Sequence, residues 1–354
     1  MRPNLIISAG GTGGHIFPAL AVASQLNDKF NIIWVGATVG LENQIVPRHG
    51  YKLETVRIGG IRNKGLVRKL MLPITLFKAF VSCLYLILKY QPKAVIGFGG
   101  YSTFPICLMA KLTYRPVIIH EQNSVAGLTN KILSKISNRI LTAFPGVLTS
   151  SKTFMVGNPV RDEIILVGQH KFQSAEDSTA NGLRILIIGG SLGAKVLNDF
   201  APLALARSSQ KILSVVHQVG RGDASVVAEL YQEYKLNAKV VNFIDDMAEA
   251  YANADLVICR AGASTVAEIA CAGVAAIFVP YPYAVDDHQA SNARYLADNN
   301  AAFLLPQSDL SVESLAEVIN KWDIIKCREV GNKAKSFAIV DSTTQICNHI
   351  LELI

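Results

Sequence analysis

Glycine-rich runs hold the residues best suited to chemistry on an anion. Gly10-Gly11-Thr12-Gly13-Gly14-His15 follows the apolar run Leu5-Ile6-Ile7, and Gly189-Gly190-Ser191-Leu192-Gly193-Ala194 follows Arg184-Ile185-Leu186-Ile187-Ile188. A helical pattern succeeds each, the first beginning near Pro18. Glycine at a strand-to-helix turn lets backbone approach a ligand closely, and the N–H groups that open the next helix favour a phosphate. Gly97-Phe98-Gly99-Gly100-Tyr101-Ser102 also follows a strand, as does Arg260-Ala261-Gly262-Ala263-Ser264-Thr265-Val266-Ala267-Glu268. In the latter run the helix N-terminus, Ser264 and Thr265 donate to phosphate or sugar oxygens. Glu268 stands one turn in, where a carboxylate accepts two hydrogen bonds from the adjacent hydroxyls of a ribose. A glutamate that only complements the helix dipole satisfies the same pattern. Gln289, in Asp286-Asp287-His288-Gln289-Ala290-Ser291-Asn292, reads either as an amide bridging neutral sugar hydroxyls or as a polar residue at a helix start.

Common nucleotide motifs do not fit these loops. A dinucleotide fingerprint needs GxGxxG and an acidic residue closing the second strand, which here ends Trp34-Val35-Gly36. No GxxxxGK[ST] occurs, so a P-loop nucleotidase is excluded as well. Asp286, Asp287 and His288 lack a second ligand cluster and no DxD occurs, so no metal site is expected. The six cysteines are scattered without a CxxC pair, the usage of reduced cytosolic thiols. No charged and long apolar leader precedes the first strand, so no secretion signal is read.

These loops need parallel strands behind them. Runs at Asn31 to Val35, Leu53 to Ile58, Ala94 to Ile96 and Val117 to His120 alternate with helical lengths, the signature of a doubly wound parallel sheet. Runs at Ser214 to Val219, Lys239 to Phe243, Leu256 to Cys259 and Ala276 to Val279 repeat the pattern. A chain of 354 residues accommodates two such domains. Gly157-Asn158-Pro159-Val160-Arg161 carries turn chemistry, which puts the boundary near 157 to 165.

Charge is placed unevenly. Between Glu54 and Glu121 there is no carboxylate but there are ten basic residues, more than the net charge of +7. Within this stretch Leu70 to Leu88 is apolar, yet Pro73 and Lys78 interrupt it and leave uncharged runs of eight and ten residues. A bilayer span needs about 18. As a helix the segment is apolar all round, with Phe77, Phe80, Val81, Leu84 and Leu88 on one side and Leu72, Leu76, Ala79, Cys83 and Leu86 on the other. Such a helix is either a buried crossover or touches another apolar phase. The flanking Arg62, Lys64, Arg68, Lys69, Lys89 and Lys93 favour contact with an anionic membrane surface, without spanning it.

GGTGGHIFPALAVA, GFGGYSTFP, HEQNSVAGLTNK, GNPVR, GGSLGA, RAGASTVAE and DDHQASNA, in this order and across nearly the whole chain, closely resemble the MurG family. Its members are the peptidoglycan N-acetylglucosaminyltransferases that convert lipid I to lipid II. The resemblance implies a GT-B fold of the α/β class, two Rossmann-like doubly wound parallel-sheet domains separated by a deep cleft. Residues 1–160 would bind the acceptor and the membrane, residues 161–340 would bind UDP-N-acetylglucosamine, and residues 341–354 would form a helix free to pack back on the N-terminal domain. Position by position, it implies that Thr12, Gly13, Gly14, Asn123, Arg161 and Ser191 lie at the donor diphosphate and sugar. Ile244 would meet the uracil by its backbone, Ala263, Ser264, Thr265, Val266, Ala267 and Glu268 would hold phosphate and ribose, and Gln289 would bind the N-acetylglucosamine hydroxyls. Leu192 stands where the family often has Gln and Ala261 where it often has Ser, so a donor contact is missing at each.

The implied reaction is inverting attack by the muramyl 4-hydroxyl of undecaprenyl-pyrophosphoryl-MurNAc-pentapeptide on the donor's anomeric carbon. His15 is the expected base, because its unperturbed pKa lies near working pH; a histidine that only positions phosphate or acceptor is the competing reading. Loop amides, helix N-termini and Arg161 would stabilise the leaving UDP without metal or cofactor. The expected location is peripheral, on the cytoplasmic face of the bacterial plasma (inner) membrane. A UDP-N-acetylglucosamine 2-epimerase on the same architecture is the alternative, but it leaves the basic, apolar stretch without a role. Nucleic acid is not an expected partner, because the aromatic residues do not interleave with the cations as stacking platforms.

Overall fold

The computed structural model describes residues 2–58, 72–171, 182–190 and 192–354. Ser191 and the basic residues Arg62, Lys64, Arg68 and Lys69 lie outside the described residues. Two compact units form, Met1–Pro159 with Asp341–Ile354, and Val160–Val340.

Unit 1 is built on β1 (Asn4–Ala9), β2 (Asn31–Ala37), β3 (Lys52–Val56), β4 (Val95–Gly99), β5 (Val117–Glu121), β6 (Arg139–Thr142) and β7 (Thr153–Met155). They pair in the order β3-β2-β1-β4-β5-β6-β7, all parallel. Helices cover both faces, so Leu5-Ile6-Ile7 and Val117-Ile118-Ile119 are buried without polar alternation. Neighbouring side chains point to opposite faces: Ile7 packs with Ile16, Leu20 and Trp34, whereas Ile6 packs with Ile33, Cys83 and Ile106.

The connecting helices are α1 (Gly13–Leu26), α2 (Glu42–Arg48), α3 (Leu72–Tyr90), α4 (Thr103–Leu112) and α5 (Leu128–Leu133). The first begins at Gly13, ahead of the sequence expectation, and contains Pro18. Proline there removes the bond its N–H would give to the Gly14 carbonyl, and its ring crowds that carbonyl. Along α3, Ala79, Cys83, Leu86 and Ile87 are buried in the sheet core. Ile74, Phe77, Val81, Tyr85 and Leu88 form an exposed apolar stripe on the same helix. Its segment Pro73–Tyr90 is long and apolar enough by length and composition to cross a membrane, but one face is committed to the sheet. The two faces of the sequence reading are thus redrawn: Phe80 and Leu84 pack against the core, while Ile74 and Tyr85 join the exposed side.

Unit 2 repeats the design with β8 (Leu183–Ile188), β9 (Ile212–Gln218), β10 (Ala238–Val241), β11 (Leu256–Cys259), β12 (Ala275–Phe278) and β13 (Phe303–Leu304). Their order is β10-β9-β8-β11-β12-β13, again all parallel. Its helices are α6 (Asp162–His170), α7 (Lys195–Arg207), α8 (Ala224–Glu233), α9 (Met247–Ala252), α10 (Ala263–Ala272), α11 (His288–Ala297), α12 (Val312–Asn320) and α13 (Ile324–Lys335). The last helix, α14 (Ser342–Leu351), belongs to unit 1, where Ile346, Cys347 and Ile350 complete the core beside α1.

The expectation of two doubly wound parallel sheets is borne out. In each sheet the winding reverses beside the first strand, and the crevice at the carboxyl ends of the strands flanking such a switch point is where open α/β sheets hold ligands. The loops after β1 and β4 meet there in unit 1, and those after β8 and β11 in unit 2.

Candidate active site

In unit 1 the first glycine loop lies against the loop after β4. Gly100, with φ +95°, comes so close that a Cβ there would sit 2.7 Å from the Gly10 carbonyl oxygen. Thr12 is the exposed N-cap residue of α1, and no side chain caps that helix end. Gly13 and Gly14 form the first turn. His15 Nδ1 lies 3.0 Å from the Gly10 carbonyl oxygen. A carbonyl only accepts, so Nδ1 carries a proton, and in the neutral ring Nε2 is then the acceptor. That is the tautomer a general base requires at Nε2.

Two acidic residues brace these loops, and the sequence reading assigned a role to neither. Glu42 is fully buried and accepts hydrogen bonds from the Gly11 N–H at 3.1 Å and the Ala37 N–H at 3.0 Å. Glu121, at the end of β5, accepts from the Asn123 N–H at 3.0 Å, the Gly127 N–H at 3.0 Å and Asn130 Nδ2 at 2.9 Å. This folds the segment that presents Asn123. Beside it His120 is fully buried, donating from Nε2 to the Gly157 carbonyl at 2.9 Å and accepting from Gln122 Nε2 at 3.0 Å. Burial, with a smaller contribution from charge on His15, depresses its pKa to about 4.

In unit 2 a parallel device supports the second glycine loop. Asn198 on α7 donates to the Val219 carbonyl at 3.2 Å, His217 Nε2 donates to Asn198 Oδ1 at 3.2 Å, and the Tyr231 hydroxyl donates to His217 Nδ1 at 3.0 Å. His217 is buried and its pKa falls to about 4 for that reason.

The α10 residues Ala263 to Glu268 gather where β11 ends. Gly262 is the N-cap residue of this helix. Ser264 and Thr265 are half-buried, while Ala263 and Val266 are buried. Glu268 receives the Tyr251 hydroxyl on Oε2 at 3.0 Å and faces Arg161 NH2 from Oε1 at 3.6 Å. Burial raises its carboxyl above the ordinary value, and Arg161 and Tyr251 oppose that rise. Tyr251 is fully buried, so the carboxylate has a fixed partner as well as a half-exposed one. Ile244 is half-buried in the loop after β10, which Asn242 braces by donating to the Gly220 and Gly222 carbonyls at 2.9 and 2.8 Å. Gln289 Oε1 accepts the Tyr281 N–H at 2.9 Å, just after Asp286 and Asp287, both in the left-handed region. Arg260 donates to the Val279 and Pro280 carbonyls and lies over the Tyr281 ring. Leu192 is exposed and Ala261 fully buried.

Thr12, Gly13, Gly14, His15 and Asn123 therefore belong to unit 1, and Arg161, Ile244, Ala263 to Glu268 and Gln289 to unit 2. Direct contact links Arg161 to Glu268. Among the described residues no group of three or more His, Cys, Asp and Glu side chains is arranged to hold a metal ion.

Two doubly wound units, each opening a glycine loop at its switch point, with a helix N-terminus and a braced carboxylate in the second, define a two-domain glycosyltransferase. The chain belongs to glycosyltransferase family 28 and, within it, to the MurG family: the family's N-terminal domain matches residues 5–142 and its C-terminal domain residues 184–346. A relative from Tolumonas auensis is 45% identical over 100% of both chains, and one from Dechloromonas aromatica is 45% identical over 99% of both. Each is named UDP-N-acetylglucosamine--N-acetylmuramyl-(pentapeptide) pyrophosphoryl-undecaprenol N-acetylglucosamine transferase. The crystal structure of Acinetobacter baumannii MurG superposes with a TM-score of 0.88 at 39% identity, covering 99% of this chain and 100% of that one.

Proposed function

We propose that this protein transfers N-acetylglucosamine from UDP-N-acetylglucosamine to the muramyl 4-hydroxyl of undecaprenyl-pyrophosphoryl-MurNAc-pentapeptide, converting lipid I to lipid II with inversion and without a metal. The observation that carries this reading is the end-to-end likeness, at 45% identity, to transferases of that name. Unit 2 takes the donor: Ile244 meets the uracil through its backbone, Glu268 Oε1 takes the ribose hydroxyls while Tyr251 keeps Oε2, and Gln289 holds the sugar. The N-terminus of α10, Ser264, Thr265, Arg161 and the second glycine loop with Ser191 stabilise the departing diphosphate. Thr12, Gly13, Gly14 and Asn123 are further contacts to the donor diphosphate and sugar in this reading. His15 Nε2, the acceptor nitrogen when Nδ1 donates to the Gly10 carbonyl, takes the proton of the 4-hydroxyl as that oxygen attacks.

The acceptor is a membrane lipid, and α3 supplies a matching surface. Its exposed stripe lies on the same helix as Lys78 and Lys89, which suits peripheral docking on the anionic cytoplasmic face of the plasma membrane. Nucleic acid has no place in this reading.

Radiolabelled UDP-N-acetylglucosamine, offered with and without lipid I in EDTA, tests the proposal. Label entering the lipid fraction in chelator is expected. Epimerised free sugar nucleotide would overturn the transferase reading, and turnover restored only by magnesium would overturn metal independence.

A further inference from the structure

Glu42 and His15 are held by opposite edges of one peptide group. The Gly10 carbonyl accepts the His15 Nδ1 proton, and the N–H of the same peptide unit, at Gly11, donates to Glu42 Oε2. The other carboxylate oxygen accepts the Ala37 N–H, so both act as acceptors only, the pattern of an ionised group. Backbone packs around this carboxylate because three neighbours lack side chains. A Cβ on Gly10, Gly36 or Gly40 would lie 2.5, 2.7 or 2.2 Å from a Glu42 side-chain atom. Burying a charge completely is costly, and a neutral acceptor would satisfy the same two N–H groups without that cost. The charge itself therefore calls for a purpose beyond folding the loop.

We propose that Glu42 is a positioning residue that polarises the Gly10–Gly11 peptide group and, through it, orients His15 and stabilises the positive charge the imidazole acquires. A carboxylate on the N–H edge pushes electron density through the peptide toward the carbonyl oxygen and strengthens the bond to Nδ1. As the 4-hydroxyl oxygen bonds the anomeric carbon and the sugar–diphosphate bond breaks, the hydroxyl proton moves to Nε2. The resulting cation is then balanced at one peptide's remove, and the proton later leaves to solvent. His120 is a titratable group that interacts with charge on His15. Burial keeps it neutral above pH 4 or so, so it adds no competing positive charge at working pH. Thr12 Oγ1, 3.5 Å from Nδ1, is uncharged.

The inference rests on His15 being the base, and the two are separable by experiment. In the full-length enzyme, Glu42→Gln is expected to lower kcat roughly tenfold with the donor KM unchanged. The acid limb of the kcat profile should move to lower pH by about half a unit to one unit, and NMR titration of the 15N-labelled imidazole should show the same displacement. Glu42→Asp should recover part of the loss. An unmoved His15 titration, or an equal loss from Glu42→Gln in the His15→Ala background, would overturn the relay while leaving the base reading intact. His15→Ala with near-normal kcat would instead remove the base. If the Gln variant does not fold, the wild-type spectrum still decides: a His15 protonated on Nε2 at neutral pH contradicts the geometry.

Discussion

At the scale of single residues, fixed partners distinguish working carboxylates from ornamental ones. Glu268 is held by a buried tyrosine on one oxygen and faces a half-exposed arginine on the other, so only the second side is open to exchange with a ligand. Glu268→Gln should weaken UDP-N-acetylglucosamine binding about ten- to a hundredfold, the scale of a hydrogen bond to a charged group. Tyr251→Phe should weaken it less, through lost orientation, with kcat retained at saturating donor. Isothermal titration of both variants checks this, and an unaltered dissociation constant for Glu268→Gln would take the residue out of the donor site. The placement of Glu268 one turn into a helix that follows a strand was readable from sequence because Gly262, Ser264 and Thr265 mark that turn. Glu42 was not, because the stretch from Gly36 to Glu42 reads as a loop and nothing local reports that Gly10, Gly36 and Gly40 converge on it. His120, His217 and Tyr251 escaped for a similar reason: their partners Gly157, Asn198 and Glu268 are distant in sequence.

At the scale of elements, α3 shows how apolar content and apolar exposure part company. Its sequence is greasy on every side, so period alone does not choose the face that meets the sheet; packing against β-sheet neighbours chooses Ala79, Cys83, Leu86 and Ile87. Phe77 and Leu88 are left 68% and 62% exposed. Replacing both with Ser should reduce binding to vesicles rich in anionic lipid by about tenfold or more, since each side chain contributes about 1.5–3 kcal/mol on full burial. UDP binding should be untouched. Vesicle sedimentation that does not distinguish the variant from the wild type would move the docking surface elsewhere. The long central strands were legible from their β-branched runs, whereas β7 and β13, three and two residues long, are too short to show a period.

At the scale of the whole molecule, each unit carries one buried neutral histidine under its loops. His120 and His217 have pKa values near 4, against 6.5 for a free imidazole. The unfolded chain therefore binds protons that the folded chain refuses. Their contribution to stability is fully present above pH 6.5 and is lost as pH falls toward 4, by up to about 3 kcal/mol each. Urea midpoints should fall across that window, and His217→Gln should flatten the slope for unit 2; an identical slope in the variant would assign the acid sensitivity to other groups. The repeated grammar of strand, glycine loop and helix made the two sheets legible before any coordinates. The return of α14 was less so, because Ser342 to Leu351 carries an amphipathic pattern that suits either unit. Its placement on α1 has a consequence during synthesis. The strands of unit 1 leave the ribosome long before Ile346, Cys347 and Ile350 exist, and at usual elongation rates the interval is about ten to forty seconds. For that time, while all of unit 2 is being made, the apolar face of α1 that these three side chains cover in the finished protein has no such cover.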